Sequence, residues 1–330
     1  MASSNRMLLK QLLYLALVMP MIFSSVNGNG LKVGFYQKSC PQAEAIAMNV
    51  IKETLAVAPS LSGPLLRMFF HDCFVRGCDG SVLLDSPTKQ AEKDAIPNQT
   101  LRGYEIIDRV KTALELHCPG VVSCADIIAL VSRDVVVQTG GASWEVETGR
   151  RDGRVSLLND ALNNLPPPTF NINSLRKLFQ QKGLSMKDLV VLSGAHTIGI
   201  SECSSFTNRL YNFSGKGDNS FDPTMDPYYV AALRKKCTKN GPNIFVEMDP
   251  GSSKKFDVHY YELVSKNRGL FQSDAALLDN AETKSYVEAH KSGNQGSFFK
   301  DFGVSMVHMG RIGVLTGTSG EVRRVCSKNN

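Results

Sequence analysis

Arg67 and His71 stand four residues apart in the stretch RMFFHDCFVRGCDGS, residues 67–81. On a helix, that spacing projects both side chains from one face, one turn apart. A fixed cation beside an imidazole disfavours the protonated ring, and Phe70 next to His71 helps keep the site dry. Such a pair can take a proton from one atom while stabilising negative charge on its neighbour. The pair alone also fits a core histidine beside an arginine whose stem lies along apolar surface.

Asp72 leaves that face, and Cys73, Val75, Gly77, Cys78, Asp79 and Ser81 follow it closely. Two carboxylates, a hydroxyl and backbone carbonyls in one short run are the hard oxygens that calcium takes, in a spacing unlike an EF-hand's. A solvated acidic turn is the alternative. Cys73 and Cys78 are close enough in sequence for a local staple.

A second group is DLVVLSGAHTIG, residues 188–199, where the small residues Ser193, Gly194 and Ala195 precede His196. They would let a flat, bulky group approach the backbone, so His196 is a candidate axial ligand for haem iron. A buried, hydrogen-bonded histidine is the alternative. In FQSDAALL, Asp274 offers a carboxylate that can stand behind a ligand histidine. In EMDPGSSKKFD, Asp249, Ser252 and Asp257 recur at short intervals, and with Thr197 they can form a second calcium site. His117, His259, His290 and His308 have no such neighbourhood and read as surface or core residues.

The elements that must hold these groups read as helices. Pro41 opens a first helix to about Val57, and Pro64 opens a second that carries LLRMFFHDCF. Cys124 to Thr139 is apolar and stops at Gly140-Gly141, and Leu175–Lys182 stops at Gly183. Ser185 caps a helix to Leu192, with Asp188 three residues on. Phe298, Phe302 and Met309 mark a late helix, and strand signals such as Ile312–Leu315 are few and short. Leu165-Pro-Pro-Pro-Thr169 is a stiff extended connector near the middle.

The chain has 330 residues, 42% of them hydrophobic and 21% charged, enough for one large domain or two lobes. Arg6 and Lys10 before an apolar run, then small residues, predict a secretory signal peptide over residues 1–28 and a mature domain over 29–330. The apolar run is too short to span a membrane, and a signal anchor, the alternative, lacks a stop-transfer flank. The whole chain has 37 Lys and Arg against 31 Asp and Glu, and residues 1–30 hold two of the bases and no acid, so the mature balance is 35 − 31, or +4. That is too weak and scattered for nucleic acid and leaves only weak attraction to an acidic polymer. All eight cysteines follow the leader, and an even count in a secreted chain reads as four disulfides with 105 pairings open. No CxxC pair points to zinc.

LLRMFFHDCFVRGCDGS, VSCADIIAL, DLVVLSGAHTIG and FQSDAALL, in this order, resemble the secreted plant haem peroxidases of the horseradish type. The likeness runs from FYQKSCP at Phe35 to EVRRVC at Glu321. It implies an all-α, two-lobed fold with one haem b between a distal and a proximal lobe, and two calcium ions. It implies Arg67, Phe70 and His71 on the distal side, Asn98 bonded to His71 with Glu92 behind it, and His196 on the iron, backed by Asp274. Phe69 and Phe70 are expected to narrow the pocket. The distal calcium would take Asp72, Val75, Gly77, Asp79 and Ser81. The proximal one would take Thr197, Asp249, Ser252, Lys255 and Asp257; Val75, Gly77 and Lys255 would serve through carbonyls. Pro166 matches a residue whose carbonyl meets phenolic substrates, and Asp126 and Arg150 match a buried ion pair.

The disulfides so implied are Cys40–Cys118, Cys73–Cys78, Cys124–Cys326 and Cys203–Cys237. Ser252 and Val258 depart from the Thr and Asn frequent in the family. The implied activity is reduction of hydrogen peroxide to water with successive one-electron oxidations of small phenols. The expected protein is a monomer with no nucleic-acid or membrane partner, and weak attraction to acidic wall polysaccharide. Only SKNN follows Cys326, so no long tail redirects it to the vacuole, and the expected location is the extracellular space or wall. Asn98 and Asn212 both open glycosylation sequons, and an Asn98 that serves His71 leaves the glycan to Asn212. Two rivals are a secreted wall protein that binds haem without turnover and a calcium module without haem. Arg67, His71 and Asn98 together speak against the first; His196 and Asp274 speak against the second.

Overall fold

The computed structural model describes Gly30–Asn330, and the expected leader lies outside these residues. The helix Cys124–Gln138 is buried without interruption from Cys124 to Val136: most of these residues are apolar, and the charged ones are paired, Asp126 with Arg150 and Arg133 with Glu44 and Asp134. Three further helices pack on it: Ala43–Val57, Ser62–Val75 and Tyr104–His117. Ser123 caps its start, the hydroxyl accepting the Asp126 N–H at 3.2 Å. Pro64 falls inside the first turn of Ser62–Val75, where a missing N–H breaks no helical bond.

A second group of helices is Met186–Ser193, His259–Ser265, Ala281–His290 and Gln295–Met309. Ser185 and Asp188 form the expected capping box at the first of them. One hydrophobic cluster, from Tyr36 to Cys326, runs through both groups. A smaller cluster with Phe206, Leu210, Val230 and Leu233 surrounds the Cys203–Cys237 disulfide. The architecture is therefore all-α, as expected.

Two small antiparallel pairs complete it, Lys32–Val33 with Glu147–Thr148 and Ile200–Glu202 with Phe245–Glu247. The strand expected at Ile312–Leu315 is absent. Leu315 makes one isolated bridge, to Arg151. Among the described residues no helix is long and apolar enough to cross a membrane.

The disulfides join Cys40 to Cys118, Cys73 to Cys78, Cys124 to Cys326 and Cys203 to Cys237. The Cys124–Cys326 bridge spans the Leu165–Thr169 connector, which is tied down further where the Pro168 carbonyl accepts the Ser273 N–H at 3.0 Å. The two helical groups meet closely at glycines. A Cβ on Gly63, at the start of Ser62–Val75, would come within 2.8 Å of the Gly199 Cα, just after His196. Only two bare backbones fit that contact.

Candidate active site

Ser62–Val75 brings Arg67 and His71 to one face, as their spacing predicts. His71 Nδ1 is hydrogen bonded to Asn98 Oδ1, and Asn98 Nδ2 donates to the Glu92 carbonyl at 2.7 Å. A carbonyl only accepts, so the amide nitrogen must face Glu92 and the amide oxygen must face the ring. The proton is then on His71 Nδ1, and Nε2 is left as the base. Glu92 does stand behind Asn98, but through its backbone.

Arg67 donates to Thr100 Oγ1 and to the Pro97 carbonyl, each at 2.9 Å, so it is anchored to the same loop as Asn98. Burial pushes the Arg67 guanidinium down to about 10, which keeps it charged at neutral pH. Burial and then the Arg67 charge hold the His71 imidazole well below the usual histidine range. Phe70 lies edge-on to His71 with ring centroids 5.7 Å apart. Phe69 does not share in the pocket. One residue along the helix it turns into the core, its ring 5.9 Å from the Arg150 guanidinium.

Beyond the helix, Asp72, Asp79, Ser81 and Glu92 are buried together. Among the described residues Asp72 Oδ1, Ser81 Oγ and both Glu92 carboxylate oxygens are buried without a hydrogen-bond partner. Burial, then the Asp79 charge, pushes the Asp72 carboxyl well up; burial, then Asp72, pushes Glu92 up to about 9. Orphaned hard oxygens on mutually repelling carboxylates fit a calcium ion. The Glu92 carboxylate belongs to this neighbourhood, which its distance in sequence from Asp79 concealed.

On the other side, His196 sits in the single turn Gly194–Thr197. His196 Nδ1 is 2.8 Å from Asp274 Oδ1, which also accepts from Tyr260 Oη at 2.9 Å. The Asp274 second oxygen accepts the Phe271 N–H at 2.7 Å. Burial would raise the Asp274 carboxyl, but His196 and these bonds hold it below the usual range. The His196 side chain is 37% exposed, and Phe271 and Tyr260 stand edge-on to its ring at 5.4 and 5.9 Å. An imidazole with Nδ1 engaged by a carboxylate presents Nε2 as a ligand, which fits haem iron. Gly194 answers a different need from the one expected. A Cβ there would meet Tyr261 Oη at 2.5 Å and Phe298 at 2.7 Å, so its bareness serves core packing.

Thr197 Oγ1 lies 2.9 Å from Asp249 Oδ2, 3.2 Å from Asp257 Oδ1 and 3.5 Å from the Lys255 carbonyl. Ser252 Oγ donates to Asp257 Oδ2 at 2.7 Å. These five residues converge, and their oxygens again suit a hard cation. No three His, Cys, Asp or Glu side chains form a metal-binding group among the described residues. Each calcium would therefore draw on hydroxyls and carbonyls beside its carboxylates. His259 corrects the expectation made for it, since its Nδ1 is hydrogen bonded to Asp249 Oδ1. His308 departs from that expectation too, with its Nδ1 3.0 Å from Asp188 Oδ1, while His290 is buried and His117 is exposed, as read.

Asp126 and Arg150 form a buried ion pair at 2.9 Å, reinforced by the Tyr36 hydroxyl on Asp126 at 2.7 Å. Pro166 is half-buried on the connector. Asn98 is 1% exposed, whereas Asn212 is exposed on a turn with positive φ.

The family model described as Peroxidase matches residues 47–293. The chain is 58% identical to Peroxidase 27 of Arabidopsis thaliana over 321 residues, 97% of this chain and 99% of that one. It is 60% identical to Peroxidase 56 of the same plant over 308 residues, 93% of each chain. Peroxidase 1 of Oryza sativa subsp. japonica is 52% identical over 332 residues, 99% of this chain and all of that one. Likeness of this degree along nearly the whole length places the chain in the peroxidase family, as a haem peroxidase that uses hydrogen peroxide to oxidise its substrates.

Proposed function

We propose that this peroxidase binds one haem b on His196 and two calcium ions, and oxidises small phenols with His71 as its acid–base group. The observation that carries the reading is the hydrogen-bond chain Glu92 carbonyl, Asn98 amide, His71 Nδ1, which leaves a neutral Nε2 beside the charged Arg67. His71 Nε2 takes a proton from hydrogen peroxide and returns it to the oxygen that leaves as water. Arg67 stabilises the negative charge that develops between those events. Asn98 fixes the tautomer, and the Thr100 and Pro97 contacts hold Arg67 in register with it. The haem, when bound, supplies an iron that accepts peroxide and stores oxidising equivalents. Asp274, by accepting from His196 Nδ1, orients the ring and makes Nε2 a stronger donor.

The distal calcium is assigned to Asp72, Val75, Gly77, Asp79 and Ser81, and the proximal one to Thr197, Asp249, Ser252, Lys255 and Asp257. The convergence of Thr197 with Asp249 and Asp257 supports the second, and the orphaned oxygens of Asp72 and Ser81 support the first. Phenols are proposed to meet the Pro166 carbonyl at the haem edge. Secretion to the extracellular space or wall is supported by four disulfides, which persist in oxidising compartments, and Asn212 is the proposed glycan site.

The test is His71→Ala in haem-loaded protein mixed rapidly with hydrogen peroxide. The haem band should remain while the reaction slows by roughly 10²–10⁴-fold. A variant reacting at the wild-type rate would remove His71 from the mechanism.

A further inference from the structure

Tyr260, Tyr261 and Tyr286 form a line of rings that the peroxide reaction does not use. The His196 ring is 5.9 Å from Tyr260, centroid to centroid. Tyr260 is 5.3 Å from Tyr261, and Tyr261 is 5.6 Å from Tyr286. The first two are buried, and Tyr286 is half-buried at the outer end. His290 stacks on Tyr286 at 4.0 Å and 23°, which places a second π system against its face.

The hydroxyls are not equivalent. Tyr286 Oη donates to Asp301 Oδ2 at 3.0 Å, and Tyr260 Oη donates to Asp274. Tyr261 Oη donates to the Val190 carbonyl at 3.0 Å, and a backbone carbonyl does not take up a proton. Each phenol is thus held as a hydrogen-bond donor by its partner oxygen. A phenol in that state loses an electron readily only if its proton has somewhere to go. Tyr261 can pass an electron without keeping the hole. Tyr260 and Tyr286 each face a carboxylate, but the two differ: both Asp274 oxygens are already engaged by His196 Nδ1 and the Phe271 N–H, whereas Asp301 pairs with Lys187 through Oδ1 and offers Oδ2 to the Tyr286 hydroxyl, so Tyr286 is where the radical can settle.

We propose that this line carries oxidising equivalents from the haem side of His196 to Tyr286, where the enzyme oxidises phenolic donors too bulky to enter the haem pocket. It rests on His196 being the haem ligand. One electron leaves Tyr286 and passes through Tyr261 and Tyr260 to the haem that hydrogen peroxide has oxidised. The Tyr286 phenolic proton moves to Asp301 Oδ2, leaving a phenoxyl radical. A donor phenol at the surface then gives one electron to that radical. Asp301 returns its proton to Tyr286 Oη, and the donor's own proton goes to water. Hydrogen peroxide, supplied by the established activity, is the only oxidant needed.

The test uses the haem- and calcium-loaded enzyme with one equivalent of hydrogen peroxide, no donor, and 2-methyl-2-nitrosopropane as spin trap. Peptide mapping by mass spectrometry should place the adduct on Tyr286. In turnover, Tyr286→Phe and Asp301→Asn should keep oxidation of guaiacol and lose about tenfold in oxidation of a phenol coupled to a soluble polymer. Asp301→Asn keeps the ring and a hydrogen-bond acceptor, so its loss would isolate the proton transfer. An enzyme that oxidises guaiacol yet shows no Tyr286 adduct overturns the relay alone. So does a Tyr286→Phe variant that oxidises the polymer at the wild-type rate. A wild-type enzyme that oxidises neither donor overturns the haem-side assignment and the relay with it.

Discussion

His196 Nδ1 and Asp274 Oδ1 stand 2.8 Å apart, joining two segments separated by 78 residues. The carboxylate is nearly fully buried and is itself held by the Tyr260 hydroxyl and the Phe271 N–H. It therefore cannot turn away from the imidazole without abandoning three partners. Replacing Asp274 with Asn keeps the volume but removes the charge. The effect expected for such a supporting group is roughly 10–100-fold in haem affinity or peroxide reactivity. Haem titration and rapid mixing with peroxide measure both, and wild-type values for the two would show that Asp274 serves packing alone.

The low basicity of His71 gives a pH prediction. An unfolded histidine titrates near 6.5, and burial with the Arg67 charge holds the folded group below that. The base form then persists as pH falls through 6.5, so the peroxide reaction should stay level there and decline only further down. The same sign applies to stability. Below pH 6.5 the unfolded chain binds this proton first, so His71 withdraws stability as pH falls toward its folded value. A peroxide rate that halves at or above pH 6.5 would contradict the neutral, buried base. Asn98→Val, which frees the tautomer, should lower the rate while leaving Arg67 in place.

Much of this frame was legible because its signals are local. Arg67 and His71 are one helical turn apart, and Ser185 and Asp188 cap a helix three residues apart, so spacing alone predicts both. What escaped depends on contacts between distant segments. His259 has Asp257 and Glu262 beside it in sequence, but the carboxylate that binds its ring is neither of these: Asp249 arrives from the preceding loop. The Glu92 carboxylate reaches the Asp72–Asp79 pair only when two loops fold together. The helices Tyr104–His117 and Ala281–His290 passed unread, although Ile107, Val110 and Leu114 carry a helical period in the first. At Ile312–Leu315 a short apolar run found no strand partner beyond one bridge, so propensity without pairing made no strand.

Calcium removal should weaken the distal side most. Without a cation, Asp72, Asp79 and Glu92 are three buried acids in one neighbourhood, with orphaned oxygens on Asp72 and Glu92. These acids must then either be buried charged or take up protons as they fold, and losing the cation's compensation costs on the order of 3–5 kcal/mol, or roughly 10 °C in Tm. Chelation followed by gel filtration, with thermal melts before and after, measures it. Asp79→Ala should lose one calcium per chain and show part of the same drop. A calcium-free enzyme that melts with the native one would refute the distal site.

The disulfides should separate stability from activity. Cys124–Cys326 closes a loop over 202 residues of separation, and Cys73–Cys78 one over 5. In the chain-entropy model, the first limits the unfolded state by about 5 kcal/mol and the second by about 2 kcal/mol. Only the short one lies beside the chemistry, between the helix end at Val75 and the loop that carries Asp79 and Ser81. Removing Cys124 and Cys326 together should therefore cost more in Tm while leaving the peroxide rate of the folded fraction near normal. Removing Cys73 and Cys78 should cost less in Tm but more in calcium retention and peroxide rate, because the turn that aims Asp79 is freed. Paired double-alanine variants, compared by thermal melt, bound calcium and rapid mixing with peroxide, measure the two losses. If both variants lost activity only in proportion to their unfolded fraction, the short bridge would have no part in holding the distal helix.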